Sequence, residues 1–176
     1  MIYTQHYNSP LGGILLAADD AGLTGLWFEG QKYFAGRLPA AQEQQTLILA
    51  KTQQWLDAYF DGRQPPVLPP LRPAGSAFRQ QVWQLLLQIP YGQTTTYAAL
   101  AAQLAAQQGL AHMSAQAVGG AVGHNPISIL IPCHRVVGTN GSLTGYAGGI
   151  TRKIQLLELE RADMQSLFIP PHGTAQ

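Results

Sequence analysis

Short apolar runs separated by turn clusters open the chain. Residues 1–7 lead into Asn8-Ser9-Pro10-Leu11-Gly12-Gly13, then apolar 14–18, then Asp19-Asp20-Ala21-Gly22 and apolar 23–28. Two tight turns between short apolar runs predict an antiparallel meander. From about residue 41 to residue 60 the period changes. Leu47, Ala50, Lys51, Gln54, Trp55, Ala58 and Tyr59 recur at spacings of three and four, as an amphipathic helix requires, and Asp61-Gly62 ends it. Gln64-Pro65-Pro66 through Pro69-Pro70-Leu71-Arg72-Pro73 follows as a stiff connector. The expected domains are residues 1–73, a small α/β domain closing with that connector, and residues 74–176.

The second part reads as helical. Ser76 can cap a helix through Phe78, Val82, Trp83, Leu86 and Leu87, which Ile89-Pro90-Tyr91-Gly92 breaks. Thr95 or Thr96 can cap a short helix over 97–104. After a loop near Gln108-Gly109-Leu110, Ser114 can cap a second over 115–122. Two short helices joined by a loop suggest a helix-turn-helix. The second is built of Ala115-Gln116-Ala117-Val118-Gly119-Gly120-Ala121, small residues that permit close approach to another helix or to a DNA groove. Residues 127–131 form an apolar run, expected to be buried and extended.

Composition narrows the class. A chain of 176 residues with 46% hydrophobic residues can fill a core. No apolar run approaches the roughly 20 residues of a membrane span, and the start Met1-Ile2-Tyr3-Thr4-Gln5-His6 has neither the basic nor the apolar part of a secretory signal. One cysteine allows no internal disulfide and no thiolate cluster for zinc. A cytoplasmic protein without metal or cofactor is expected. The net charge of +1 does not announce a nucleic-acid partner. Its distribution says more: from Gln80 through His134 there is no Lys, Arg, Asp or Glu. Such a stretch is either deeply buried or a face meant to press against something.

The single cysteine lies in Ile131-Pro132-Cys133-His134-Arg135, before a glycine-rich loop over 138–149. A lone buried cysteine is commonly an inert small hydrophobe. A reactive one needs its thiolate, and an imidazole can take the proton directly or through a water, with a carboxylate behind it. His134 is adjacent. On an extended segment neighbouring side chains point apart, which favours a relay through water.

Residues 78–160 resemble the catalytic domain of the O6-alkylguanine-DNA alkyltransferases. The resemblance is carried by Ile89-Pro90-Tyr91-Gly92, Thr96-Tyr97, Ala117-Val118-Gly119-Gly120, Asn125-Pro126, Ile131-Pro132-Cys133-His134-Arg135-Val136-Val137, Gly145-Tyr146-Ala147-Gly148-Gly149, Lys153, Leu156-Leu157 and Glu160. The start of the chain resembles the family's α/β domain more loosely. It implies a ribonuclease-H-like α/β N-terminal domain (small antiparallel sheet plus helix) followed by a mainly α, winged-helix-like C-terminal domain with the helix-turn-helix. It also implies a monomer, with cooperative assembly on DNA left open, that repairs double-stranded DNA carrying O6-alkylguanine, and O4-alkylthymine as an open second substrate. The helix-turn-helix would enter the minor groove and the nucleotide would be flipped out.

By the same resemblance Cys133 attacks the alkyl carbon, His134 is the base through a water, Glu160 orients His134, Asn125 braces the turn, and Tyr97 donates to N3 of guanine. Val136, Tyr146 and Ala147 would surround the base. Ser114, Gln116, Ala117 and Gly119 would meet DNA, and Arg135 would either touch DNA or hold the two domains together. The thioether product resists hydrolysis, so each molecule would act once.

Two departures stand out. Where the family carries an arginine two residues before the Val-Gly-Gly step, this chain has Gln116, which brings no charge and less stacking surface. The loop over 105–113 is also longer than the family pattern. Two rival readings are a silent reader of alkylated DNA, which would replace the cysteine, and a cysteine hydrolase using Cys133 and His134, whose adjacency is not how such dyads are spaced. The tail over 168–176, with His172, reads as loosely ordered.

Overall fold

The computed structural model describes residues 1–36 and 38–171. The chain divides into two compact units, Met1–Ala74 with Pro126–Leu130, and Gly75–Asn125 with Ile131–Gln176. The segment Pro126–Leu130, expected within the C-terminal domain, clusters with the first unit. There Leu26 N–H donates to the Pro126 carbonyl (2.8 Å) and Ser128 N–H to the Leu26 carbonyl (3.0 Å).

In the first unit β1 (Ile2–Ser9), β2 (Gly12–Ala18) and β3 (Leu23–Phe28) form the expected antiparallel meander. A short fourth strand, β4 (Ala41–Glu43), pairs parallel to β1. The sheet, ordered β3-β2-β1-β4, is therefore mixed. The helix expected from residue 41 begins only at Leu47. Residues 41–43 are held by β1, and the Thr46 hydroxyl accepts from Leu49 N–H, capping α1 (Leu47–Phe60). Helix α1 buries Leu49, Trp55, Leu56 and Tyr59. The proline-rich connector is fastened by both hydrogen bonds of Leu23: its N–H donates to the Pro70 carbonyl and its carbonyl accepts from Arg72 N–H, each at 2.7 Å. Residues 127–131 do not form the expected strand. Ile129 turns into the left-handed region (φ 71°), a conformation that a β-branched residue resists.

The second unit opens with α2 (Ala77–Leu86), capped by Ser76 as its sequence suggested. Thr96, rather than Thr95, caps α3 (Tyr97–Gln107), and Ser114 caps α4 (Ala115–Gly123). Both helices run past their expected ends, and they pack as neighbours. Trp83 on α2 anchors α4 by donating its indole N–H to the Ala121 carbonyl at 2.9 Å, fully buried. Two-residue strands β5 (Thr95–Thr96) and β6 (Val136–Val137) pair in parallel, tying the start of α3 to the segment after Cys133. Helix α5 (Ile150–Leu159) packs beneath, with Leu157, Val137, Leu143 and Ala162 in one apolar cluster. Of the tail expected to be loose, Phe168 is held by main-chain hydrogen bonds to Leu143 and Gly141, whereas residues 172–176, with His172, lie outside the described residues.

Candidate active site

Cys133, His134 and Arg135 form one turn of 3-10 helix rather than an extended segment. The turn is closed at both ends. Cys133 N–H donates to the Ile131 carbonyl (2.8 Å), and Arg135 N–H to the Pro132 carbonyl (3.0 Å). Asn125 braces it, donating its amide to the Ile131 carbonyl at 2.8 Å and also reaching the Cys133 sulfur. Cys133 is 5% exposed, so its thiol meets little water. Burial pushes the thiol pKa up, while Asn125 and the Lys153 ammonium oppose that rise. The resting sulfur is a thiol.

Behind it, His134 Nε2 lies 2.7 Å from Glu160 Oε2, with both side chains fully buried. Burial alone would raise the Glu160 carboxyl. The bonds and charges of His134 and Arg135 outweigh it and hold the carboxylate far below its usual range. Burial lowers His134, against the pull of Glu160. A neutral imidazole facing a carboxylate through Nε2 carries its proton there. The lone pair is then on Nδ1, which has no hydrogen-bond partner among the described residues. His134 therefore presents a bare basic nitrogen, oriented from behind.

Arg135, expected either at the DNA or between the domains, is turned inward. Its side chain is 10% exposed, Nε and Nη2 donate to the two Glu160 oxygens at 2.7 and 3.1 Å, and Nη1 donates to the Ile89 carbonyl at 2.7 Å. With its donors held inside, the guanidinium is a clamp on the carboxylate. Sequence reasoning also left Ile89-Pro90-Tyr91-Gly92 without a role, and that segment completes the clamp. Gly92 N–H donates to Glu160 Oε1 at 3.3 Å, and Arg135 lies over the Tyr91 ring. A Cβ on Gly92 (φ 78°) would come within 2.8 Å of the Glu160 carbonyl, which explains the glycine. The signal was present as a turn motif, but nothing in the sequence tied it to a residue 68 positions away.

Tyr97, at the first position of α3, is half-buried and donates to the Thr144 carbonyl at 3.1 Å. Burial, with Cys133 adding to it, pushes its phenol up to about 12, so it is a proton-bearing donor. Gly145 makes room for it, since a Cβ there would come within 2.7 Å of the hydroxyl. Tyr146 is buried with its ring edge-on to His134, Val136 is buried at β6, and Ala147 is half-buried in the loop between them and α5. Cys133, His134, Glu160, Asn125 and Tyr97 thus share one neighbourhood. Gln116, Ala117 and Ser114 lie elsewhere, exposed at the start of α4, with Gly119 half-buried against Tyr97. Among the described residues no group of three or more His, Cys, Asp or Glu could hold a metal ion.

Fold and site together define a helix-turn-helix protein that holds a thiol nucleophile in its interior, backed by a buried base and carboxylate. Comparison with known proteins makes the class specific. Residues 77–162 match the 6-O-methylguanine DNA methyltransferase DNA-binding domain, and residues 2–73 match that family's ribonuclease-like domain. A methylated-DNA–protein-cysteine methyltransferase of Mycobacterium leprae is 42% identical over 92% of this chain and 93% of its own length. One from Haemophilus influenzae is 39% identical over 91% and 87%. Among solved structures, Mycobacterium tuberculosis OGT in complex with DNA superposes with a TM-score of 0.80 at 40% identity, covering 90% of this chain and 92% of that one. The chain belongs to the methylated-DNA–protein-cysteine methyltransferase family.

Proposed function

We propose that this protein repairs O6-alkylguanine in double-stranded DNA by moving the alkyl group onto Cys133, once per molecule. The observation that carries the reading is the buried His134–Glu160 pair beside the only cysteine, with the imidazole's free nitrogen on Nδ1. The Cys133 proton passes to His134, directly or through one water. The sulfur then forms a bond to the alkyl carbon as the bond from that carbon to O6 breaks, and guanine leaves with the electron pair. Tyr97 turns its hydroxyl from Thr144 to N3 of the base and supplies a proton there. The thiol's proton restores the balance, so one thiol and one alkylguanine give one thioether and one guanine. Val136, Tyr146 and Ala147 surround the base.

A base stacked in a duplex is out of reach of a buried sulfur, so the nucleotide is flipped. Delivery falls to α3 and α4 in the minor groove, where Ser114, Gln116, Ala117 and Gly119 meet the DNA. The inward-turned Arg135 takes no part in that contact. O4-alkylthymine is a second candidate substrate. The protein acts as a monomer in the cytoplasm. Its single free thiol suits a reducing compartment.

The test is mass spectrometry after mixing with O6-methylguanine DNA. Stoichiometric addition of one methyl to the Cys133 peptide supports repair. No adduct would mark a reader, and repeated turnover a hydrolase.

A further inference from the structure

The loop over residues 138–149 carries Tyr146 and Ala147, two walls of the base pocket in the reading above, and five of its twelve residues are glycine. Glycine loses more conformational freedom on folding than any other residue, so such a loop needs outside support to keep one shape. Its placement is nevertheless close. The Thr144 carbonyl accepts the Tyr97 hydroxyl, Gly145 approaches that hydroxyl too nearly for a Cβ, and Tyr146 stands edge-on to His134.

The support comes from the segment after α5. Within the loop, Gly138 N–H donates to the Ser142 carbonyl (2.8 Å) and Gly141 N–H to the Gly138 carbonyl (2.9 Å), closing a small turn. The chain returns beside that turn, Ser142 running parallel to Phe168. There Leu143 N–H donates to the Phe168 carbonyl at 2.8 Å, and Phe168 N–H to the Gly141 carbonyl at 3.1 Å. Met164 and Leu167 pack on the apolar cluster that buries Leu143. A Cβ on Gly141 (φ 91°) would overlap the Ser166 carbonyl. The Phe168 ring stays exposed, so that residue grips the loop through its main chain. Residues 141 and 143 lie just before Thr144, whose carbonyl Lys153 also holds at 2.6 Å. A side chain thus fixes the carbonyl, and the returning segment fixes the backbone that leads to it.

We propose that residues 163–169 are a latch that positions the base-binding loop for alkyl transfer, acting on the reaction through Thr144 and Tyr97. With the latch closed, Thr144 and Gly145 set where the Tyr97 hydroxyl rests before it turns to the base. With it open, the backbone at 141–143 is released and Tyr97 loses that fixed starting point. The thiol is spared, because its turn is braced by Asn125, and Glu160 by Arg135 and Gly92.

L167D puts a carboxylate into the apolar cluster and should open the latch. Single-turnover methyl transfer from an O6-methylguanine duplex, followed against protein concentration, should fall about tenfold in its maximum rate. The half-saturating concentration should not change. Nor should the rate at which iodoacetamide alkylates Cys133, the only cysteine, since that reaction needs no base pocket. In a Y97F background L167D should cost less than about twofold, because both changes act at one hydroxyl. An unchanged maximum rate in folded L167D overturns the proposal. So does an equal fall in the iodoacetamide rate, or a loss that persists in full in Y97F. Should L167D fail to fold, F168P takes its place with the same expectations, removing the N–H that bonds Gly141 and only an exposed ring. The latch rests on the repair reading. An unaltered protein that took no methyl would overturn both, whereas one that did and was indifferent to L167D would overturn the latch alone.

Discussion

The Cys133 turn and the exposed start of helix α4 are built on opposite principles. Around Cys133 the polar side chains are buried and tied to one another: Asn125 to Ile131, His134 to Glu160, Arg135 to Glu160 and Ile89, and Lys153 to Val136 and Thr144. Helix α4 holds its place through Trp83, Val118 and Ala121, and presents Gln116, Ala117 and Gly120 to solvent with no charge. Chemistry on a reacting atom demands fixed geometry, because small misplacements are costly in rate. The proposed role of α4, to lie in a groove, asks instead for close approach and few obstructing side chains. The site is over-determined, whereas the start of α4 is minimal.

Breaking the site should have the largest effects. C133A should abolish methyl uptake from DNA while leaving the fold intact, as checked by mass spectrometry and circular dichroism. E160Q should come next. It strips the charge from a carboxylate that serves His134, Arg135 and Gly92, leaving Arg135 buried without its partner. We expect about 3 kcal/mol or more of lost stability in denaturant titrations, and a fall of about a hundredfold in single-turnover rate.

Acid probes the same cluster. His134 and Glu160 both have folded pKa values below their ordinary 6.5 and 4.5. In each case the unfolded chain binds the proton first, so stability falls as pH drops below about 6.5 and falls further below about 4.5. The second decline should be diminished in E160Q.

Changes to the delivery helix should be smaller and should spare the chemistry. Q116R should raise the rate on duplex DNA by about tenfold through added stacking and charge, and should steepen the salt dependence of binding by about 0.9 in log–log slope. Its rate on the free alkylated base should not change. Equal duplex rates would show that position 116 does not limit delivery. S114A removes only the cap on Ala117 N–H and should cost about 1 kcal/mol, with little change in iodoacetamide rate.

Local signals carried much of this molecule. Turn clusters and apolar alternation gave β1 to β3, and Thr46, Ser76, Thr96 and Ser114 each cap the helix that follows them. Such features act within a few residues, so the chain states them directly. The run before Cys133 shows where local reading stops. Its apolar composition suggests a strand, but tertiary packing bends it at Ile129, against that residue's own preference.

The amino-acid sequence by itself determined the cysteine as the only thiol, a histidine beside it, the helix-turn-helix, the uncharged stretch that contains α4 and the glutamine within it. Only the tertiary structure decided that Arg135 faces inward, that Ile89–Gly92 holds Glu160, that His134 offers Nδ1, and that Lys153 stands behind the site. These are contacts between segments far apart in the chain. Their energy comes from desolvating charges together, and a side chain's charge declares its need for a partner without saying which distant segment will provide one.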